Sequence, residues 1–243
     1  MKLKTVLIGS IIVLTVFLIY LTTLDKLIFF LALGDDLASG KTPYGNRDTS
    51  YNEYLKYYIE EKNLLEKYID GFIAEDYRTT DLIRDIEDNK KIMIENKEQS
   101  IKNALIKADL VTLSIGMNDL YYKLNVANLN NNELYDHIDE IIEDIEKLFE
   151  LLRKYCKEDI IVTNFYRSTI LLENDKMKEY FNYANEKLKN ISEKYNIHYV
   201  EIDKILENNT KNLPMGTSFL PSRSGYEEIS KEIIKKINST LLK

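Results

Sequence analysis

A single cysteine, Cys156, stands among 243 residues, which excludes a disulfide framework and any cysteine-based zinc site. Histidine is almost as scarce. His137 and His198 are the only two, so imidazole ligands and imidazole general bases are few. Eight glycines and three prolines leave little punctuation along the chain. Residues 27–243 carry no internal repeat, no low-complexity tract and no linker long enough to divide them. An excess of positive charge is missing as well: 33 Lys and Arg against 40 Asp and Glu give a formal charge of −7. Such a surface does not displace counterions from phosphates, so no nucleic-acid partner is expected. What the chain does have is 44% hydrophobic and 30% charged residues, enough to bury a sizeable core and unlike a disordered polymer. Its length fits one domain plus an appendage.

The appendage is at the amino end. Residues 5–24 hold no charge and are dominated by Val, Leu, Ile and Phe. Twenty such residues in a helix span about 30 Å, the thickness of a bilayer core. Lys2 and Lys4 precede the run, whereas Asp25 and Lys26 cancel after it, which places the amino terminus in the cytoplasm and the remainder outside. A cleaved signal peptide is the competing reading. Against it, the apolar run exceeds an ordinary signal h-region, and Tyr20-Leu21-Thr22-Thr23-Leu24 offers no small-x-small cleavage site. No cysteine follows the run, which excludes a lipoprotein signal. The expectation is a cytoplasmic tip and single-pass membrane anchor over residues 1–26, followed by an extracytoplasmic domain over 27–243 held near the membrane surface.

Beyond the anchor, β-rich runs at 27–33, 68–73, 110–115, 159–165 and 197–202 alternate with amphipathic stretches at 51–63, 79–88, 100–107, 132–155 and 175–195. A last helix is expected over 224–242. Strands separated by helices imply right-handed crossovers, and hence an α/β fold of three layers with a five-stranded parallel sheet in the middle. In such sheets ligands bind beyond the carboxyl ends of the strands, so the informative residues follow each strand.

Three stretches fill those places. After the first strand comes Ala32-Leu33-Gly34-Asp35-Asp36-Leu37-Ala38-Ser39-Gly40, and after the third comes Ser114-Ile115-Gly116-Met117-Asn118-Asp119-Leu120. Phe219-Leu220-Pro221-Ser222-Arg223-Ser224-Gly225-Tyr226 opens the last helix. Gly34, Gly40, Gly116 and Gly225, half of the chain's eight glycines, fall inside them, as backbone turns of a specified site require. In order and spacing, the three stretches resemble the Gly-Asp-Ser-Leu, Gly-x-Asn-Asp and Asp-x-x-His-Pro blocks of the SGNH, or GDSL, acyl-ester hydrolases. The resemblance spans residues 27–243 and implies that family's flavodoxin-like sheet. It implies no cofactor. It also makes Asp76-Tyr77-Arg78-Thr79-Thr80-Asp81-Leu82 similar to the loop that carries the family's oxyanion glycine.

The roles implied by the resemblance fail when transferred one position at a time. The nucleophile position holds Asp36, the base position Leu220 and the orienting position Thr217. The oxyanion glycine position holds Asp76, while Asn118 keeps the oxyanion asparagine, with Gly116 and the structural Asp35 and Asp119 beside it. Acyl transfer needs a hydroxyl activated by a base and neutral donors aimed at an oxyanion. A carboxylate at Asp36 opposes this, because two unit charges about 4 Å apart repel by about 4 kcal/mol at an effective dielectric of 20. Ser39 is the nearest hydroxyl but has no imidazole partner. His137 falls on a solvated helix face, and His198 at the amino end of the fifth strand.

Two roles are open to Asp36. Its carboxylate can plug the vacated hole by accepting hydrogen bonds from Asn118 and nearby backbone N–H groups. Alternatively, Asp35, Asp36, Gly116, Asn118 and Asp119 form a retuned binding pocket, in which Asp36 and Asp76 offer oxygens to a divalent cation or an amine. Arg78 or Arg223 is expected to neutralise the acids in the first case. Tyr57–Tyr58 and Tyr121–Tyr122 read as helix-packing and rim residues, and Cys156 as a small buried apolar side chain. The expected function is therefore an anchored, catalytically degenerate hydrolase-like domain that binds or scaffolds an envelope ligand or protein partner. The alternative is an active ester hydrolase, of esterase, lipase or glycan-deacetylase type, that uses other residues.

Overall fold

The computed structural model describes residues 26–126, 131–216 and 218–242. The expected anchor over 5–24 and the triad position Thr217 lie outside the described residues. Among the described residues no helix is long and apolar enough to cross a membrane.

The central sheet has five parallel strands in the order β2-β1-β5-β6-β7. β1 (Ile28–Gly34) is buried along its whole length, as a strand covered on both faces must be. β2 (Leu65–Ile69) pairs on one side of it, in register Ile28↔Leu65. On the other side β5 (Leu110–Ser114), β6 (Asp159–Thr163) and β7 (His198–Val200) follow in turn. The chain thus moves one way from β1 to β2 and the opposite way from β5 onward. Right-handed crossovers then put the connecting helices on opposite faces. α2 (Tyr51–Glu61) packs on α9 (Arg223–Thr240), while α6 (Asn131–Tyr155) packs on α3 (Thr79–Glu87) and α7 (Asp175–Lys194). The reversal lies between β1 and β5, and the crevice beyond their carboxyl ends is the topological switch point where such folds bind ligands.

Local sequence fixes the element ends. α1 (Asp36–Ser39) is one turn, opened by the Asp35 side chain accepting from Leu37 N and closed by Gly40 at φ +77°. α2 starts in a reciprocal Ser50/Glu53 capping box. α4 (Ile101–Lys107) feeds β5, α5 (Met117–Val126) follows it, and α8 (Asp203–Glu207) follows β7.

Several boundaries differ from those read in the sequence. The strand expected at 68–73 is β2 at Leu65–Ile69, because it must start level with Ile28. Phe72, whose hydrophobicity suggested strand, is fully buried from the loop beyond it. The stretch after the third expected strand, to which no helix was assigned, is helical from Met117. An antiparallel hairpin, β3 (Lys91–Ile94) and β4 (Lys97–Ser100), was not legible in the sequence. It turns on Glu95 and Asn96, both at positive φ, and lacks the Asn-Gly or Asp-Gly signal that usually marks such a turn.

Candidate functional site

Gly34 ends β1 at φ +137°, and a Cβ there would lie 2.2 Å from the carbonyl oxygen of Ser114, so only glycine lets β1 and β5 close together at this point. Gly116 turns the chain out of β5 at φ +94°, where a side chain would be strained, and a Cβ there would lie 3.1 Å from Ile145 and Phe165 side-chain carbons. The two turns bring Asp36, the first residue of α1, and Asn118, the second of α5, face to face.

Asp36 is 2% exposed, and each of its carboxylate oxygens is engaged. Oδ2 accepts from Asn118 Nδ2 at 2.7 Å and from the backbone N–H of Asp76 at 2.7 Å. Oδ1 accepts from Lys41 Nζ at 2.5 Å. The same ammonium lies 3.3 Å from Glu75 Oε2 and 3.4 Å from Asp76 Oδ1, and Arg47 closes the other side of Glu75 at 2.6 Å. Burial lowers the pKa of Lys41, yet the hydrogen bond and charge of Asp36, with Glu75 and Asp76, outweigh it and hold the ammonium above its ordinary value. Asn118 also donates to the Tyr77 carbonyl at 3.0 Å, which fixes its amide toward Asp36.

Asp76 is present through its backbone. Its φ of +58° suits glycine, its side chain is 87% exposed, and its N–H points inward. Asp119 braces this loop by accepting from Thr79 N at 3.0 Å and Thr79 Oγ1 at 3.1 Å; burial raises its pKa, against the pull of those bonds. Neutralisation by Arg78 or Arg223 is corrected: the cation is Lys41. Arg78 stacks on the exposed Tyr122 ring at 4.0 Å, and Arg223 reaches Tyr54 at 3.3 Å. Lys41 escaped the sequence reading because its partners Glu75 and Asp76 are more than thirty positions away, and only the turn at Gly40 sends its side chain back.

Asp35 lies beneath. Its Oδ1 accepts from Leu37 N at 3.1 Å and, at 3.5 Å, from Ser114 Oγ, while Oδ2 has no partner. Burial first, and then the charge of Asp36, hold its carboxyl well above the usual carboxylate range. A raised pKa contributes stability that is complete below the unfolded value of about 4 and is lost as pH rises through the folded value. Asp35→Asn, which fixes the neutral form, is therefore expected to gain thermal stability relative to the wild type as pH goes from 4 to 8. A difference that stays constant over that range would show that Asp35 ionises as it does in the unfolded chain.

The remaining candidates lie elsewhere. His198 Nε2 pairs with Asp159 Oδ1 at 2.7 Å, and both residues begin strands, at the edge of the sheet opposite Asp36. His137 pairs with Glu140 at 2.9 Å. Ser39 Oγ donates to the Asp36 carbonyl at 2.8 Å, a bond that closes the helical turn. Leu220 N donates to Ser218 Oγ at 3.1 Å, and Phe219 beside it stacks on buried Tyr121 at 4.5 Å. The last helix reaches the site through Tyr226, whose hydroxyl donates to the Lys41 carbonyl at 2.6 Å. Cys156 is buried, which raises its thiol pKa. Among the described residues no group of three or more His, Cys, Asp and Glu is arranged to hold a metal ion.

A model of the GDSL-like lipase/acylhydrolase family matches residues 32–228. The chain belongs to that family. The match covers the β1 turn, the Asp76 loop and the β5 turn, which hold Asp36, and the start of α9, which reaches the Lys41 carbonyl. Solved structures agree on the fold. The GDSL-like domain is similar to an acetylxylan esterase from Geobacillus stearothermophilus, at 18% identity and a TM-score of 0.65, over 88% of this chain and 95% of that one. It is also similar to the lipase Lip_vut3 from a goat rumen metagenome, at 17% identity and a TM-score of 0.68, over 85% and 95%. A search of curated proteins returns no match.

Proposed function

We propose that this GDSL-like domain is catalytically silent and acts as a binding or scaffolding module at the cell envelope, anchored through residues 5–24. One observation carries the reading. The two donors suited to an oxyanion, Asn118 Nδ2 and the Asp76 N–H, are both spent on Oδ2 of Asp36, and Lys41 balances the resulting charge. Hydrogen bonds to a charged acceptor contribute about 1.5–3 kcal/mol each, so the plug is a stable arrangement. A substrate carbonyl would have to displace a buried carboxylate and meet no activated hydroxyl in its place. Lys41 is no substitute base, because its carboxylate partners keep it protonated.

Hydrolysis of p-nitrophenyl acetate and butyrate by the full chain in detergent tests this. The expected rate equals that of buffer, with or without Asn118→Ala. Turnover above buffer that Asn118→Ala or Asp36→Asn abolishes would establish an active ester hydrolase instead.

A further inference from the structure

The parallel sheet has an amino edge and a carboxyl edge, and the two are chemically different. Residues 26 and 27 enter β1 directly at the amino edge, with three residues between Leu24, the end of the apolar run, and Ile28. The loops that feed the other strands share this edge. Lys26 pairs with Asp109 at 2.5 Å, Asp109 Oδ2 accepts from Phe29 N, and Asp159 N donates to the Asp109 carbonyl. Among the described residues, two large apolar side chains are exposed here. Leu27 is 48% exposed, and Ile106, in the last turn of α4, is 63% exposed. Around them Lys62, Lys107 and Lys157 are exposed, with Lys26 already paired to Asp109, and they are interspersed with the exposed acids Glu60, Glu61, Glu158 and Glu193.

We infer that this amino edge lies on the bilayer surface, with Leu27 and Ile106 at the interface and the lysines against headgroup phosphates. The inference rests on the proposed anchoring through residues 5–24. Three residues of connection reach about 10 Å at full extension, which leaves the edge no room to turn away from the membrane. Exposed apolar side chains with lysines interspersed suit a surface of apolar chains beneath headgroups that carry both amine and phosphate charge. The consequence concerns the ligand. β1 has seven residues, and at about 3.3 Å per residue it lifts Asp36 and Asn118 about 23 Å above that edge, facing outward. The site then addresses a solute or an envelope polymer, and acyl chains within the bilayer are out of its reach.

The test labels the full chain in anionic phospholipid vesicles with a thiol-reactive fluorophore at Ile106→Cys or, separately, at Ile170→Cys. Ile170 follows β6 on the carboxyl side and is 66% exposed. Cys156 is fully buried, so the parent chain under native conditions serves as the unlabelled control. With a nitroxide-bearing lipid, quenching at position 106 is expected to exceed that at 170 several-fold. Leu27→Cys repeats the measurement if Ile106→Cys folds poorly. Equal or reversed quenching, in vesicles that keep the protein through an alkaline carbonate wash, overturns the orientation and leaves the anchoring intact. Release of the protein by that wash overturns both.

Discussion

Replacing Lys41 with methionine is expected to lower the unfolding free energy by about 3 kcal/mol, one of the largest effects available to a single change outside the core. The Asp36 side chain is 3% exposed and that of Lys41 23%, so the pair is shielded from water. Removing one member of a buried ion pair costs about 3–5 kcal/mol, because the remaining charge is left without compensation. Here the two neutral donors to Oδ2 remain, while Glu75 and Asp76 lose the cation that holds them beside Asp36, which places the value near the lower end. The partner variant identifies the cause. Adding Asp36→Asn to Lys41→Met removes the orphaned charge and keeps an acceptor for the Asp76 N–H, so most of the loss is expected to return. Urea unfolding of the two single variants and the double closes the cycle. A Lys41→Met variant within about 0.5 kcal/mol of wild type would mean that Lys41 is solvated and that Asp36 is held by Asn118 and backbone alone.

The fold was legible because its signals are local or periodic. β1 is a continuous apolar run whose seven residues are all buried, and α6 and α7 carry helical spacing over their length. Elements that depend on pairing partners were harder to read. β2 carries Glu66 and Lys67 in its middle, a pattern that does not announce a strand until β1 supplies the register. The hairpin is equally opaque, since Lys91 to Ser100 holds only Ile92, Met93 and Ile94 as apolar residues. At the site, the order of the three glycine-bearing stretches was enough to expect Asp36 and Asn118 in one place. What sequence could not supply is the route of a long side chain. Lys41 reaches Asp36 only because Gly40 turns the backbone, and it reaches Glu75 and Asp76 only because the loop after β2 folds over β1, where Ala74 N donates to the Gly34 carbonyl at 3.2 Å. The use of Asp76 through its amide was hidden for a related reason, since a residue name says nothing about φ.

The single change Asp36→Ser is expected to leave the chain inert, whereas Asp36→Ser with Thr217→Asp and Leu220→His is expected to hydrolyse p-nitrophenyl acetate. Taking away the carboxylate frees Asn118 Nδ2 and the Asp76 N–H, both already directed at a common point. Each donor returned to an oxyanion is worth about 10²–10³ in rate. The hydroxyl alone remains a weak nucleophile, and Lys41, still bound to Glu75 and Asp76, stays a cation that cannot take its proton. An imidazole supplied from position 220 adds general-base assistance worth about 10²–10⁴, and a carboxylate at 217 orients it. The triple variant should therefore exceed Asp36→Ser by at least about 10²-fold in kcat/KM, and Asn118→Ala added to it should remove about 10²-fold. Lys41 retains two carboxylate partners in both variants, so neither leaves a buried charge unpaired and the comparison is between folded proteins. A triple variant that melts with the wild type yet turns over no faster than Asp36→Ser would show that positions 217 and 220 do not face residue 36. The positions equivalent to the family's base and its orienting acid would then have to be sought elsewhere in the segment before α9.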